Sequence, residues 1–495
     1  MIDQDGKRQE LKQLHDIVDK VSQHRSTLQE RYFIKVVTPM FGGSSEPGDV
    51  DPRFPIRSAS IRGHLRFWWR ATRGARYETA EELRKVESNI FGDTQHPSKV
   101  KIWVDQPIHK PQKIEFKKRG EAGYNEELSN LRYVLFPFEN KLSSLKKCTN
   151  KQWNSQQGQK ENDDMYYPSH SFELYIEYLL GVGKSEEDQQ LELEKYKKEI
   201  HAALWAWINF GGIGARTRRG CGSLYCSRFS MKEDERFYNQ RDVEKWYKEH
   251  LQTYGIQLLS GNKSREWPTL SNEIHLQFHK QEIWDAWSKT IRVYQLFRSR
   301  RPSTKETGTK RPGRSYWPEA DSIRKLTNMH SNKHKELLTI SRSDDQEYAF
   351  PRAVFGLPII TKFTGENGAG NREPYTTQLT PGGKEKARLA SPLITKAIAV
   401  SEHDGHGALI VLKQPKIEGL ELSLAGDEAK NKHNQTHTSL IEAKLRSTVI
   451  NKHHIYEPSV TYKNPVNNPM AKPEGMYYSA LEAFLNIKEV KDWKR

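Results

Sequence analysis

Residues 203–229 read ALWAWINF, then GGIGARTRRGCG, then SLYCSRF. A long helical pattern over 187–210 ends in aromatic residues and runs into five glycines and three arginines within twelve residues, and a strand pattern follows over Ser223–Phe229. This order decides the fold class. A Walker-type phosphate loop needs Gly-Lys-Ser/Thr between a strand and a following helix, and here the helix comes first. A dinucleotide fingerprint also fails, because Thr217 stands at the third glycine position after Gly212 and Gly214. What remains is a helix–glycine loop–strand connection. Backbone N–H groups at Gly211, Gly212 and Gly214 can approach phosphates while Arg216, Arg218 and Arg219 add charge. A helix cap and a tight turn explain one or two of the glycines, not five with three arginines.

Upstream of this loop, Arg31–Thr38 (RYFIKVVT) reads as a strand ended by Pro39. A polar loop over 42–51 follows. Ser58 or Ser60 caps a helix running to about Arg76, and a second helix covers Thr79–Ile90. Val100, Ile102 and Val104 alternate as a strand, and Leu131–Phe138 reads as another. Residues 139–165 are a polar insertion. Downstream, 230–266 reads as a polar join. Ile274, Leu276 and Phe278 alternate in a strand over Ser271–His279, and a helix carries Trp284, Trp287, Ile291, Tyr294 and Phe297. Strands are expected near Tyr348–Ile360, Leu389–Val400 and Ala408–Leu412, with a loop over 363–386 and a closing helix over Tyr477–Asn486. Residues 425–475 give no readable pattern. Strand-then-helix starts in both halves predict an α+β chain of two ferredoxin-like βαββαβ domains with large loop insertions. Their expected bounds are 31–230 and 267–495, behind an N-terminal helical extension over 1–30.

Composition narrows the function. The chain has 495 residues, 35% apolar and 10% aromatic, with a formal charge of +16. No apolar run approaches the ~20 residues of a membrane helix, and no leader opens the chain. Three cysteines are too few for a disulfide framework. A soluble protein of a reducing cytoplasm, without membrane attachment, is expected. Three segments, 57–76, 211–228 and 298–314, together carry a net charge equal to that of the whole chain. Separate basic patches point to a polyanion, with nucleic acid first.

In the first basic segment, Arg62, Arg66, Arg70, Arg73 and Arg76 fall within about 120° of a helix surface, with Trp69 inside the stripe and Arg57 just ahead of it. Ile61, Leu65 and Trp68 fill the neighbouring apolar face. Arginine offers a planar fork for phosphate, and an aromatic inside an arginine stripe suits single-stranded RNA. The bland alternative is a helix whose arginines pair with acids elsewhere in the fold. The third segment, RSRRPSTKETGTKRPGRSYW, places Arg300, Arg301, Arg311 and Arg314 in a basic loop that orders on binding, or in a merely solubilising one. Catalytic candidates are thin. His64 sits off the centre of the arginine stripe, His403, His406, His433 and His437 fall in polar segments, and Asp163-Asp164 lies in the insertion. Cys221 and Cys226 lack partners for a zinc site. No catalytic residue, metal or cofactor is assigned.

Several of these segments resemble a known family. TPMFGG (38–43), PIRSASIRGHLRFWWRA (55–71), a stretch over 87–92 ending in IFG, and the glycine loop GGIGARTRRGCGSL (211–224) are similar to the first subunits of the Cmr complex. That complex is the type III-B CRISPR RNA-guided effector, and these subunits belong to the RAMP superfamily. GRSYWPEADSIR (313–324), FPRAVFGLPI (350–359) and RLASPLI (388–394) extend the likeness. The resemblance implies paired ferredoxin-like domains whose sheet face and glycine loop hold CRISPR RNA. It implies a non-catalytic subunit at the head of the complex, near the 3′ end of the guide and the adjacent target RNA, with other Cmr RAMP subunits as partners in antiviral defence. A metal-independent CRISPR-RNA processing endoribonuclease is the enzymatic alternative, and a standalone RNA chaperone is a third class.

Overall fold

β1 (Gln29–Val36) alternates strictly: Tyr32, Ile34 and Val36 are buried, while Arg31 and Phe33 face solvent. A period of two places one set on each face of a sheet. α1 (Ser58–Arg73) buries Ile61, Leu65 and Trp68 at helical spacing, and a short 3-10 turn over Gly74–Arg76 completes the basic stretch. α2 (Ala80–Phe91) begins at a capping box in which Thr79 and Glu82 bond reciprocally to each other's backbone N–H. β2 (Val100–Asp105) and β3 (His170–Tyr178) follow. α3 (Glu186–Phe210) starts at Ser185, whose hydroxyl accepts from the Asp188 N–H, and carries three acids in its first turn. Its last nine residues, Ala202–Phe210, are buried all round. β4 (Leu224–Tyr225) closes the series.

The sheet order is β2-β3-β1-β4, with every neighbouring pair antiparallel. Helices lie in the β1-to-β2 and β3-to-β4 connections, and α1 packs along α3. Numbered by chain order this is 4-1-3-2, the arrangement of a βαββαβ unit. It explains why the glycine loop and the start of α1 come together: β4 pairs directly with β1, so the connection into β4 runs beside the connection out of β1.

The computed structural model describes residues 29–42, 51, 54–107, 112–113, 126, 129–135, 165–166, 170–180, 185–301, 315–334, 339–340, 348–363, 372–383, 388–425, 435–456, 460–461, 468–473 and 475–494. Of the helical extension expected over 1–30, Gln29 and Glu30 open β1 instead and residues 1–28 lie outside the described residues, as do most of the 139–165 insertion, Asp163, Asp164, Cys148, His433, Arg311 and Arg314. Backbone contacts divide the chain into two units, 1–289 with 395–410, and 290–394 with 411–495. In the first unit, residues 395–399, 404–410 and the strand Thr269–Leu276 form a second sheet in that order. The second unit holds a four-stranded antiparallel sheet, Ile359–Thr361, Thr377–Pro381, Gly419–Leu424 and Ile450–Asn451, with the helix Gln435–Ser447 against it. Its aromatic core includes Tyr294, Phe297, Phe355 and Phe484.

Four readings are corrected. The expected strand Leu131–Phe138 is helical where described, over 129–135. Leu131, Val134 and Leu135 are buried, and their i, i+3, i+4 spacing is that of a helix whatever the β-prone composition. The polar join contains α4 (Gln240–Thr253). Asn239 and Asp242 form its capping box, and Val243, Trp246, Tyr247 and Leu251 are its buried face. Tyr348–Ile360 contains a 3-10 turn, Pro351–Phe355, and is a strand only from Ile359. The loop assigned to 363–386 contains the strand Thr377–Pro381.

Candidate nucleic-acid interface

The glycine loop is built by packing. Thr38 Oγ1 donates to the Gly220 carbonyl at 2.7 Å and accepts from the Ser223 N–H at 2.8 Å. The Gly222 N–H donates to the Pro39 carbonyl at 2.9 Å, and the Ala215 N–H to the Phe41 carbonyl at 2.7 Å. The loop is thus fastened to residues 38–41 along its whole length. Glycine is required at Gly214 and Gly222, which have φ of 84° and 63°; a Cβ at Gly222 would stand 1.9 Å from the Ile213 carbonyl oxygen. From below, the fully buried Lys396 donates Nζ to the Gly211 carbonyl at 2.8 Å. Burial pushes its ammonium down to about 7. Trp287 Nε1 donates to the Arg219 carbonyl at 2.6 Å.

The arginines of the loop have separate tasks. Arg216 adopts the left-handed region at φ 59° and donates Nη1 to the Val134 carbonyl at 2.8 Å. Arg218 lies over the Phe67 ring, 5.3 Å from its centroid, and its burial, then the Arg219 charge, lower its pKa to about 10. Arg219 Nη1 donates to the Arg218 carbonyl at 3.0 Å.

The stripe on α1 does not stand free as the helix projection suggested. Arg66 Nε donates to Glu87 at 2.6 Å, and Arg70 lies 3.6 Å from the same carboxylate. Arg73 is fully buried. Its Nε contacts both Glu199 oxygens at 3.0 Å, and its terminal nitrogens donate to the Lys198 and Gly255 carbonyls. Trp69 is also fully buried, with its indole N–H on Glu199 at 2.7 Å. A buried guanidinium is tolerable only with such pairing, so Trp69 and Arg73 belong to the interior and are not available to a surface ligand. The acids lie 21 and 126 residues from the arginines they meet, beyond the i+3 and i+4 positions that the sequence reading considered. Arg57 stays half-exposed beside Asp51 at 3.4 Å. Arg62 is partly buried, with burial and then Arg66 lowering its pKa, and no acid faces it among the described residues.

One cavity joins helix and loop. His64, Phe67 and Trp68 from α1 line it together with Phe210, Gly211, Gly212, Thr217 and Arg218. His64 stacks on Trp207 at 5.9 Å and 14°, and burial lowers its pKa to about 4, so it is neutral near pH 7. His406, expected in a polar segment, is instead buried on a strand, with Nδ1 2.7 Å from the Gln277 carbonyl oxygen. Cys221 and Cys226 are buried free thiols. Among the described residues no group of three metal-ligating side chains is present, and no helix is long and apolar enough to cross a membrane. Arg300 and Arg301 belong to the second unit, where Arg300 lines a cavity with Leu296, Phe297 and Tyr477.

The resemblance implied a sheet face for RNA, but no residue of that open face was singled out from sequence. Phe33 is 56% exposed there. Trp103 stacks on its cross-strand partner Tyr175 at 5.4 Å, with Lys101 over Trp103 and Arg31 over Tyr175. Arg31 pairs with Glu173, Lys101 with Glu177 and Lys35 with Glu402. The face is aromatic and charge-balanced, suited to stacking more than to phosphate. The available signal was the outward set of the alternation in β1, β2 and β3.

A family model described as the RAMP superfamily matches residues 33–225, from β1 through the glycine loop into β4. This stretch is similar to the RAMP superfamily. Two curated relatives from Pyrococcus furiosus, the CRISPR system Cmr subunits Cmr1-1 and Cmr1-2, are each 28% identical to the chain, over 179 and 193 residues. The first match covers 36% of this chain and 42% of that relative; the second covers 39% and 91%. Among solved structures, Cmr1 from Pyrococcus furiosus in its apo form aligns with 19% identity and a TM-score of 0.40, over 84% of this chain and 97% of that one. A chain of the type III-B Cmr-beta complex bound to cognate target RNA aligns with 12% identity and a TM-score of 0.41, over 84% and 98%.

Proposed function

We propose that the chain is a non-catalytic RNA-binding subunit of a type III-B CRISPR effector, holding the 3′ region of the guide and the adjacent target RNA beside other RAMP subunits. The observation that carries this reading is the glycine loop, fastened to residues 38–41 and bearing Arg216, Arg218 and Arg219, with His64 and Phe67 of α1 beside it. Arginine charge on a loop held in place by packing suits the phosphates of a single strand. The likeness to Cmr1 subunits supports the choice of guide and partners. The open aromatic face supplies stacking surface on the same domain.

The enzymatic alternative finds less support. A general base needs a proton path and an orienting partner. His64 instead lies flat against Trp207, with no acid among its described neighbours. Co-expression with type III-B Cmr subunits, followed by purification and sequencing of bound RNA, tests the proposal. Recovery in a complex enriched in CRISPR guides is expected. A protein recovered alone, or one that cuts repeat RNA in EDTA, would overturn it.

A further inference from the structure

The cavity between α1 and the glycine loop has a chemistry that phosphate binding does not use. Its volume is about 270 Å³. Its walls include planar side chains: Phe67 and Trp68 meet edge to face at 5.2 Å, and the neutral His64 ring is backed by Trp207. Several of its polar groups are idle. Among the described residues, neither nitrogen of His64 has a hydrogen-bond partner, nor does the indole N–H of Trp68, the hydroxyl of Thr217 or the backbone N–H of Gly212. An interior normally satisfies such groups. Here they border a space open to solvent, and the guanidinium of Arg218 stands at its edge over Phe67.

Flat apolar walls with a few converging donors, one ring that offers both a donor and an acceptor, and a cation alongside describe the complement of one nucleotide. The base would stack on the walls and pair its edge with His64 and Trp68, while its phosphate meets Arg218. A continuous stacked strand would not enter. We infer that this cavity takes a single unstacked nucleobase from the bound RNA, so that the glycine loop anchors one nucleotide out of the strand as well as tracking its backbone. The inference rests on the RNA-binding reading above but is separable from it, because a lone nucleotide needs none of the wider surface.

Two measurements on the full chain test it. In the first, AMP, CMP, GMP and UMP are titrated singly and followed by saturation-transfer NMR and tryptophan fluorescence. At least one is expected to bind at millimolar concentration, with its base protons saturated more strongly than its ribose protons, and Phe67→Ala should weaken it at least fivefold. In the second, single-stranded RNA oligonucleotides carry 2-aminopurine or an abasic nucleotide at each position in turn. One position is expected to give a distinct fluorescence change that Phe67→Ala and Thr217→Val reduce, and an abasic nucleotide there should cost the wild type fivefold or more while costing Phe67→Ala almost nothing. Nucleotide binding without tight oligonucleotide binding would uphold the cavity and sink the RNA-subunit reading. Tight oligonucleotide binding in which all positions respond alike, and no mononucleotide saturates, would overturn the cavity and leave that reading intact.

Discussion

A Cβ on Gly214 would stand 2.3 Å from the carbonyl oxygen of Phe41. The two residues lie in segments far apart in sequence, the connection leaving β1 and the loop entering β4, and the neighbouring Ala215 N–H bonds that same carbonyl. With φ at 84°, Gly214 also occupies backbone space that side chains disfavour. Gly214→Ala is therefore expected to destabilise the domain by about 1–3 kcal/mol and to weaken RNA binding through displacement of the loop. Chemical denaturation and oligonucleotide affinity check this together. Unchanged stability with unchanged affinity would mean that the loop tolerates separation from residues 38–41.

The arginines of α1 should separate into two groups. Arg73→Ala leaves Glu199 facing a cavity and is expected to cost about 3–5 kcal/mol, as removal of one member of a buried pair does. Arg62→Gln meets no acid and should stay within about 0.5 kcal/mol of wild type while weakening RNA binding. Melting curves and filter binding on the two variants decide. Equal stability of both would contradict the interior role of Arg73.

Stability should rise with pH in two windows. His64 titrates at about 4 in the folded chain against an ordinary 6.5, and Lys396 at about 7 against 10.5. In each case the unfolded chain binds more protons between the two values, so folding is favoured as pH increases through that range. The His64 contribution is complete above pH 6.5 and is lost as pH falls to about 4. That of Lys396 is complete above 10.5 and is lost as pH falls to about 7. Lys396→Met should flatten the alkaline window, on the order of a few kcal/mol across it. Denaturation midpoints from pH 5 to 10 measure this, and a wild-type profile identical to that of Lys396→Met contradicts the buried ammonium.

Purified protein is expected to leave labelled guide and target RNA intact, with or without divalent metal. Cleavage that His64→Ala abolishes would make the endoribonuclease reading the correct one.

The first domain was legible because its elements announce themselves locally. The alternation in 31–36, the apolar positions 61, 65 and 68, and the helix–glycine–strand order each constrain one element, and each appears within a few residues of expectation. The strand order then follows from the βαββαβ pattern. Charge pairing was not legible, because Glu87 and Glu199 reach the arginine helix only through tertiary packing. Six arginines without a local acid looked outward for that reason, and two residues of the expected contact set, Trp69 and Arg73, are interior. The His64 cavity was missed for the same cause: its wall comes from α1 and from a loop well over a hundred residues later. α4 was missed for a different one, since its polar composition hid the Asn239–Asp242 capping box and the apolar spacing behind it.

The central claim is that the glycine loop and the start of α1 bind one RNA strand through their arginines. It is tested most directly by the salt dependence of single-stranded RNA affinity for wild type and for the double variant Arg62→Gln, Arg219→Gln. Each phosphate contact contributes about 0.7 to the slope of log K against log salt on single strands. The account predicts a wild-type slope of several units, and a slope smaller by about 1.4 in the variant with its melting curve preserved. A flat wild-type response, or an unchanged slope in a folded double variant, would contradict it.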